Sequence, residues 1–278
     1  MSRAYHLGVT GYPLGHSLSP QLHRAALRQL GLDGEYSLYP VLPQDRTGLA
    51  GLVDRVRQGS LDGLNVTLPH KQAVIPLLDE LTPLAREIGA VNTIFRRAGS
   101  AVGENTDSRA FRADLERMVG PVPPAGAVAL VLGAGGASRA VVAALQRMGW
   151  EVQIAARRLD QAGELAAGLP RLARCLLLSR AGLEQADPRT ALIVNATPLG
   201  MHPQVESSPW PDDLPLPGAA AVYDLVYNPR ETRFVRRARK EGLRAAGGIG
   251  MLVGQASLAF ACWTGLPFPD SMEILTDL

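Results

Sequence analysis

Residues 127–158 read AVALVLGAGGASRAVVAALQRMGWEVQIAARR, and this stretch decides the fold of the chain. The apolar run Val128–Leu132 predicts a buried strand, because it is short, β-branched and bounded by glycine. After a glycine-rich turn, Ala140–Met148 predicts a helix with an apolar face, and Val152–Ala156 predicts a second strand. Strand, glycine turn, helix and strand form the first unit of a dinucleotide-binding fold.

The glycine turn is the predicted phosphate-binding part of this unit. Glycines let the backbone turn tightly and approach a pyrophosphate, whose charge is met by amides and by the helix N-terminus. An ordinary tight turn between strand and helix is the alternative, and Ser138 stands where the usual pattern has its third glycine. The predicted cofactor-binding residues of the turn are Gly133, Ala134, Gly135, Gly136 and Ala137.

The end of the second strand indicates which dinucleotide is bound. NAD-binding folds usually place an acid there to accept from the ribose 2′-hydroxyl. This chain has Arg157 and Arg158 instead, with no acid before Asp160. Guanidinium groups form planar, charge-assisted bonds with a phosphate, so the pair favours NADP(H) over NAD(H). Two solvated loop arginines are the alternative interpretation.

Composition excludes several classes of protein. A chain of 278 residues with 46% hydrophobic and 19% charged residues is long enough for two domains, each with its own core. The net charge of +2 and the dispersed basic residues give no nucleic-acid footprint. The two cysteines lack metal-ligand spacing and form no disulfide framework, so we expect no metal site and a reducing compartment. Neither a signal peptide nor a membrane-spanning run is present, and we expect a cytoplasmic monomer or homodimer.

Polar side chains gather at the ends of the predicted strands in the N-terminal half. Asn65, Lys71, Asn92 and Asp107 fall at the C-terminal ends of consecutive strands or just after them, where open α/β sheets bind ligands. Lys71 also precedes a predicted helix, Gln72–Leu78, where a cation opposes the helix dipole, and such a local violation is typical of a functional site. A surface lysine and, for Asp107, a simple helix cap are the alternatives.

Two further sets of polar residues allow both a structural and a functional interpretation. Ser17 and Ser19 lie beside a predicted helix start, where hydroxyls cap helices but also form a cradle for a carboxylate. Capping is the preferred interpretation of Ser19 taken alone, and Ser17 is open. Gln255 interrupts an apolar C-terminal helix, where core hydrogen bonding and substrate contact are the alternatives.

The order of elements predicts an α/β protein with two domains. A proline-rich break at residues 120–126 separates residues 1–120, the substrate-binding and catalytic domain, from residues 121–246, a Rossmann-type NADP-binding domain. Residues 247–278 form a C-terminal helical segment that is expected to return and pack on the N-terminal domain. A hinge is expected near Gly247.

Taken together, these motifs resemble the shikimate dehydrogenase family, which reduces 3-dehydroshikimate with NADPH, over nearly the whole chain. In chain order, the motifs that carry the resemblance are His16-Ser17-Leu-Ser19-Pro20, Asn65-Val-Thr67-Leu-Pro-His-Lys71, Gly89-Ala-Val-Asn92-Thr93, Asn105-Thr106-Asp107, Gly133-Ala-Gly-Gly-Ala137, Asn195-Ala-Thr197-Pro-Leu-Gly-Met201, Tyr223-Asp-Leu225-Val-Tyr227 and Gly248-Ile-Gly-Met251-Leu-Val-Gly-Gln255.

The resemblance implies a role for each matching residue. Lys71 and Asp107 would be the catalytic pair, with Lys71 managing the proton and Asp107 orienting it. The implied substrate-binding residues are Ser17, Ser19 and Tyr227 at the carboxylate, and Asn65, Thr67, Asn92 and Gln255 elsewhere on the substrate. Further implied cofactor contacts are Thr197, Leu225, Gly248 and Met251, with Leu225 and Gly248 near the nicotinamide.

The sequence departs from the family pattern at two places. Ala156-Arg157-Arg158 replaces the usual Asn-Arg-Thr, and Ser108 and Ala110 replace glycines that commonly follow the catalytic Asp. Three alternative functions remain: a quinate/shikimate dehydrogenase, which often uses NAD, a non-catalytic regulator that binds NADP or shikimate, and a folate dehydrogenase of similar two-domain layout. Retention of both Lys71 and Asp107 favours an enzyme, and the serine pair favours shikimate.

Overall fold

The computed structural model describes residues 4–167 and 169–269 of the chain. Backbone contacts divide these residues into two units. The first unit comprises the described residues up to Asp107 and those from Val253 onward, and the second unit comprises Ser108–Leu252. Within the described ranges, the helices are too short or too polar to cross a membrane.

The first unit is built on a mixed sheet. Its elements are β1 (Tyr5–Gly11), α1 (Ser19–Gln29), β2 (Gly34–Pro40), α2 (Arg46–Gln58), β3 (Gly63–Val66), β4 (Glu80–Leu81), α3 (Pro83–Ile88), β5 (Thr93–Arg97) and β6 (Ser100–Glu104), with a 3₁₀ turn at Ile75–Leu77. The described strands lie in the order β2-β1-β3-β5-β6-β4. The strand β1 runs parallel to β2 and β3, whereas β5 runs antiparallel to β3 and β6.

This sheet corrects the predicted reason for the polar cluster. Asn92 does not follow a strand; it immediately precedes β5. Because β5 is antiparallel to β3, with Asn65 opposite Thr93, the start of β5 lies at the same edge as the end of β3. The predicted gathering of these side chains at one edge is therefore observed, but antiparallel pairing produces it.

The second unit is built on a parallel sheet. After α4 (Asp107–Val119), its elements are β7 (Val128–Leu132), α5 (Gly136–Met148), β8 (Glu151–Ala156), α6 (Leu159–Ala166), β9 (Leu172–Leu177), α7 (Arg180–Leu183), β10 (Thr190–Asn195), β11 (Ala221–Asp224), α8 (Arg233–Lys240) and β12 (Ala245–Ala246). The described strands lie in the order β9-β8-β7-β10-β11-β12, and all neighbours are parallel. This is the order of a dinucleotide-binding fold, which reverses direction between β7 and β10.

The central strand β7 shows why the quoted stretch decides the fold. Ala129 and Val131 belong to one buried cluster, and Leu130 and Leu132 belong to another. Alternate residues of a strand point to opposite faces of the sheet. Both faces of β7 are therefore covered, and a continuous apolar run is what such a strand requires.

Several elements differ from the sequence predictions. The predicted helix Gln72–Leu78 is a series of turns with a short 3₁₀ segment, and Leu78 already has extended backbone with φ −89° and ψ 147°. The patterns also gave no elements for residues 159–191, where α6, β9 and α7 lie. In β9 the apolar residues Leu172 and Leu177 are exposed, so the hydrophobic pattern that would predict a buried strand is weak.

The boundary between the units lies earlier than the predicted break at residues 120–126. Helix α4 belongs to the second unit from Ser108 onward. Phe111 on α4 packs edge-on against Tyr223 of β11, with ring centroids 5.1 Å apart. The Tyr223 hydroxyl donates to Asp114 Oδ2 on the same helix at 2.6 Å. The proline-rich break is therefore a connection inside the second unit.

The last described helix, α9 (Ile249–Thr264), contributes its part from Val253 to the first unit. Trp263 donates its ring N–H to the carbonyl of Ile94 at 3.0 Å. A Cβ on Gly63 would lie 2.2 Å from the same indole ring, so the helix packs directly on β3. This confirms the predicted return of the C-terminal helix; the predicted segment continues to residue 278, but residues 270–278 lie outside the described part.

Candidate active site

Lys71 and Asp107 form an ion pair in the first unit. The Lys71 ammonium donates to Asp107 Oδ2 at 2.5 Å, and their side chains are only 16% and 6% exposed. Lys71 lies in the turns after β3, and Asp107 is the first residue of α4. The dipole argument for Lys71 was therefore wrong, because no α-helix begins beside it. The pairing itself brings an acid–base group and a carboxylate together at the polar sheet edge.

Asn92 holds the other oxygen of this carboxylate. Its Nδ2 donates to Asp107 Oδ1 at 2.9 Å and to the Thr106 hydroxyl at 2.8 Å. Its Oδ1 accepts from the backbone N–H of Thr106 at 2.7 Å. A backbone N–H can only donate, so it fixes which end of the Asn92 amide faces Asp107. Both Asp107 oxygens accept side-chain hydrogen bonds, which goes beyond the simple capping role that the sequence also allowed.

Asn65 stabilises the position of Asn92 through hydrogen bonds to Asn92 and its neighbour Thr93. It is 5% exposed, and its Nδ2 donates to the carbonyl of Asn92 at 3.1 Å and to Thr93 Oγ1 at 3.3 Å. Its Oδ1 accepts from the hydroxyl of Tyr36 at 2.7 Å. Sequence reasoning missed Tyr36, Thr93 and Thr106. The available signal was that a buried Asn in a strand needs several partners.

The serines and Thr67 lie elsewhere in the same unit. Ser19 is the first residue of α1, whose cap position is Leu18 and has no side-chain cap, so the capping interpretation of Ser19 was wrong. The Ser17 hydroxyl accepts from the Ser19 N–H at 3.3 Å. Thr67 is partly buried and follows β3, and its N–H donates to the carbonyl of Thr10.

Two predicted substrate residues come from the C-terminal half. Gln255, on α9, is 8% exposed and belongs to the first unit. Tyr227, three residues after β11, is partly buried in the second unit. Their assignment to the substrate stays a prediction.

The glycine turn of the second unit has the geometry of a phosphate cradle. Gly133 has a φ of +113°, and a Cβ there would lie 3.1 Å from the carbonyl oxygen of Ala196. Gly135 occupies the cap position of α5, with no side-chain cap and no atom within 4 Å of an added Cβ. Helix α5 begins at Gly136, and its first N–H groups are the donors that a bound anion can use.

The arginines predicted to select NADP(H) are exposed at the end of β8. Arg157 follows the strand directly, and Arg158 is the cap residue of α6. Neighbouring parallel pairing places this strand end beside the glycine turn, since Leu132 pairs with Ala155. The uncapped helix start and the two guanidinium groups together fit a dinucleotide with a 2′-phosphate.

The remaining predicted cofactor residues lie in different environments; they are Thr197, Leu225, Gly248 and Met251. The Thr197 hydroxyl donates to Asn195 Oδ1 at 2.7 Å, and the Leu225 N–H donates to the carbonyl of Asn195 at 2.9 Å. Gly248 must be glycine, because a Cβ would lie 2.2 Å from the Leu225 carbonyl oxygen. Met251 is 7% exposed and packs in the core of the second unit, so the fold accounts for most of its surface.

Comparison with known proteins agrees with both units. Residues 9–94 match the family model of the shikimate dehydrogenase substrate binding domain. Two NADP(+) shikimate dehydrogenases, from Synechocystis and Geobacter metallireducens, are 40% and 44% identical to this chain; they align with 92% and 96% of it and with 89% and 93% of their own lengths.

A solved structure agrees in the same way. Shikimate 5-dehydrogenase from Thermus thermophilus, in complex with NADP(H) and shikimate, superposes with a TM-score of 0.82 at 40% identity and covers 97% of both chains. The family model matches residues 9–94, and the relatives and the solved structure match nearly the full length, so this chain belongs to the shikimate dehydrogenase family.

Proposed function

We propose that the protein catalyses the reversible, NADPH-dependent reduction of 3-dehydroshikimate to shikimate in aromatic amino acid biosynthesis. The observation that carries the proposal is the Lys71–Asp107 pair, held by Asn92, in a chain of the shikimate dehydrogenase family. A protein that only senses its ligands has no need of a proton-transferring ammonium group beside a carboxylate. The family relation and the pair therefore both support an enzyme. A reducing, cytoplasmic location is proposed on the two cysteines, which are both free.

Reduction of the ketone requires a hydride at carbon and a proton at oxygen. When bound, NADPH supplies the hydride to the carbonyl carbon. Lys71 donates the proton to the carbonyl oxygen, and in the reverse direction it accepts the proton of the hydroxyl. Asp107 accepts a hydrogen bond from a substrate hydroxyl and keeps the Lys71 ammonium in place through Oδ2. Asn92 prevents rotation of the carboxylate by holding Oδ1.

The substrate is a polyhydroxylated carboxylic acid, and the first unit offers groups for both features. Ser17 and Ser19 are assigned to the carboxylate, a role supported by their place at the start of α1, where helix N–H groups favour an anion. Thr67 and Gln255 are assigned to ring hydroxyls. Asn92 is assigned to the same part of the substrate through Asp107, because both of its own N–H groups donate inside the protein. Asn65 contributes by fixing Asn92, since both of its N–H bonds are directed inside the protein.

The cofactor assignment rests on the second unit. The N–H groups at the start of α5 are assigned to the pyrophosphate, and Arg157 and Arg158 to the 2′-phosphate. The acid that would accept from the 2′-hydroxyl of NAD is absent from the end of β8. This supports NADP(H) as the preferred cofactor.

The test follows the NADPH absorbance band with purified protein, shikimate or quinate, and NADP⁺ or NAD⁺. We expect rapid reduction with shikimate and NADP⁺, and slow or undetectable reduction in the other combinations. Comparable rates with quinate or NAD⁺ would place the protein among the quinate/shikimate dehydrogenases. Folded protein that is inactive in every combination would refute the proposed activity.

A further inference from the structure

Asp224 ends β11 and is completely buried. Its Oδ1 accepts from Asn195 Nδ2 at 2.8 Å and from the Val226 N–H at 3.0 Å, and its Oδ2 accepts from the Thr232 hydroxyl at 2.7 Å. Burial raises the pKa of this carboxyl to about 6, although its three hydrogen bonds act in the opposite direction. One carboxylate therefore joins the end of β10, the residues after β11 and the cap of α8.

The carboxylate is one of the groups that hold the Asn195 amide, whose Nδ2 also donates to the Leu199 carbonyl at 3.1 Å. An ionised carboxylate can only accept hydrogen bonds, so the Nδ2 of Asn195 faces Asp224 and its Oδ1 faces away. That oxygen accepts from the N–H of Thr197 at 3.0 Å and from its hydroxyl at 2.7 Å. The Thr197 hydroxyl in turn accepts from the Leu199 N–H at 3.2 Å. The loop after β10 is thus built on an amide that Asp224, the Leu199 carbonyl and the Thr197 N–H together hold in one orientation.

A second set of hydrogen bonds runs from Asp224 through the residues after β11. Val226 donates its N–H to Asp224 and accepts at its carbonyl from the Gly248 N–H at 3.0 Å. The Leu225 N–H donates to the carbonyl of Asn195. Leu225 and Gly248 are consequently held against one another by the same group of bonds.

Both sets of hydrogen bonds end at the same half of the parallel sheet, the half that contains β10 and β11. The strand order reverses between β7 and β10, and a dinucleotide in this fold lies across the reversal with one mononucleotide on each half. The glycine turn after β7 and the arginines after β8 occupy the half that suits the 2′-phosphate. The ends of β10 and β11 therefore face the nicotinamide half.

We propose that Asp224 is a positioning residue for the nicotinamide half of the cofactor site, acting through Asn195 on the loop of Thr197 and Leu199. This inference rests on the proposed use of NADP(H). Asp224 is too deeply buried to touch the cofactor, so its effect is transmitted by the side chains that it orients.

The test compares two ligands by titration of the full-length chain. NADPH spans both halves of the site, whereas adenosine 2′,5′-bisphosphate carries the 2′-phosphate and lacks nicotinamide. Asp224→Asn keeps the side-chain shape but replaces the charged acceptor that faces Asn195 Nδ2 with a neutral one, which weakens that hydrogen bond. We expect its Kd for NADPH to rise about tenfold, or about 1.4 kcal/mol, with its Kd for the bisphosphate within about twofold of wild type. Asp213→Asn, which removes an exposed carboxylate paired with Arg180, should change neither Kd.

The Tm of Asp224→Asn distinguishes a positioning role for Asp224 from a general role in stabilising the fold. At pH 7 we expect the Tm of Asp224→Asn to stay at or above the wild-type value, because the amide removes a buried charge. Equal weakening of both ligands, or no weakening of NADPH, would overturn the proposal. Wild-type protein that fails to bind NADPH would contradict the proposed function instead.

A second variant tests the route and covers the case in which Asp224→Asn does not fold. Asn195→Ala removes the connecting amide and should cause the same selective loss of NADPH affinity. The double variant should lose no more than the larger single effect, since the two residues act in series. Additive losses, or an NADPH affinity in Asn195→Ala within about twofold of wild type, would show that Asp224 does not act through Asn195.

Discussion

Asn92 donates through Nδ2 to Oδ1 of Asp107 at 2.9 Å, and its own orientation is fixed by the backbone N–H of Thr106 at 2.7 Å. The backbone of Asn92 is held as well, because Asn65 Nδ2 donates to the Asn92 backbone carbonyl. Asp107 therefore meets Lys71 with its carboxylate already oriented. Such preorganisation removes the cost of arranging the pair when the substrate arrives.

Replacing Lys71 by Met should lower kcat by about 10²- to 10⁴-fold, the usual contribution of a general acid–base group. KM for shikimate should change much less, because the substrate keeps its other contacts. The chain offers a matched control, since Lys240 is its only other lysine and lies exposed at the end of α8. Near-normal turnover in Lys71→Met, or an equal loss in Lys240→Met, would contradict the assignment.

Because the chain has only two lysines, chemical modification can test the same assignment of Lys71. In a Lys240→Arg variant, Lys71 is the only side-chain amine. Acetylation should then inactivate the protein in proportion to modification at Lys71, as followed by mass spectrometry. Saturating shikimate and NADP⁺ together should slow both modification and inactivation.

Thr106 should affect catalysis through Asn92. Thr106→Val preserves the buried volume but removes the hydroxyl that accepts from Asn92 Nδ2. We expect kcat to fall about five- to tenfold, the usual value of one hydrogen bond, and Thr106→Ser to restore most of it. Steady-state kinetics and Tm should be measured on both variants. Loss of Tm without loss of kcat in Thr106→Val would assign the hydroxyl to stability alone.

The sequence predicted the parts of the site that depend on local pattern. The glycine turn, β7 and the start of α5 follow from a short apolar run and from residues that permit tight turning, and the parallel sheet order confirms the dinucleotide-binding fold. The motifs also brought Lys71 and Asp107 together as a pair, and the structure shows that pairing; their catalytic role stays a prediction.

Nonlocal pairing could not be predicted in the same way. Tyr36, Thr93 and Asp224 act through partners 29, 28 and 29 residues away, and no pattern along the chain identifies those partners. The placement of Asn92 depended on the antiparallel direction of β5, which the residues of β5 do not specify. The boundary at α4 was missed because Phe111 and Tyr223, which join that helix to the sheet, are far apart in sequence.

The arginines at the end of β8 should control cofactor choice. Arg157→Ala should raise KM for NADP⁺ by about tenfold while KM for NAD⁺ changes less than about twofold, because only NADP⁺ carries the 2′-phosphate. Adding Arg158→Ala to this variant should reduce the preference for NADP⁺ over NAD⁺ further. Arg147→Ala, at the far end of α5, is the control for loss of positive charge. Equal effects on the two cofactors would remove Arg157 from the 2′-phosphate site.

Two glycines give opposite predictions for stability. A Cβ on Gly63 would lie 2.2 Å from the indole of Trp263, so Gly63→Ala must displace α9 or β3 and should cost about 1–3 kcal/mol. Gly51 lies inside α2 with no atom within 4 Å of an added Cβ, and Gly51→Ala should add about 0.5–1 kcal/mol. Chemical denaturation measures both changes. A Gly63→Ala variant as stable as wild type would show that the contact between α9 and β3 adjusts freely.

His23 should make the protein sensitive to acid. It is fully buried on α1, its ring stacks on Tyr36 with centroids 4.5 Å apart, and Trp263 and Phe260 lie nearby. Burial lowers the pKa of His23 from 6.5 to about 3. The unfolded chain therefore binds a proton between these values that the folded protein does not. Stability from this group is complete above about pH 6.5 and falls by up to about 5 kcal/mol as the pH approaches 3.

A His23→Phe variant isolates this contribution. Phenylalanine can keep the stacking on Tyr36 but cannot bind a proton, so its Tm should fall less steeply than that of wild type between pH 6.5 and pH 4. His6→Gln removes a half-exposed histidine of the same unit and should follow the wild-type curve. If wild type and His23→Phe lose Tm in parallel over this range, then protonation of His23 does not drive acid unfolding, and the carboxylates that form ion pairs in the folded protein must account for it.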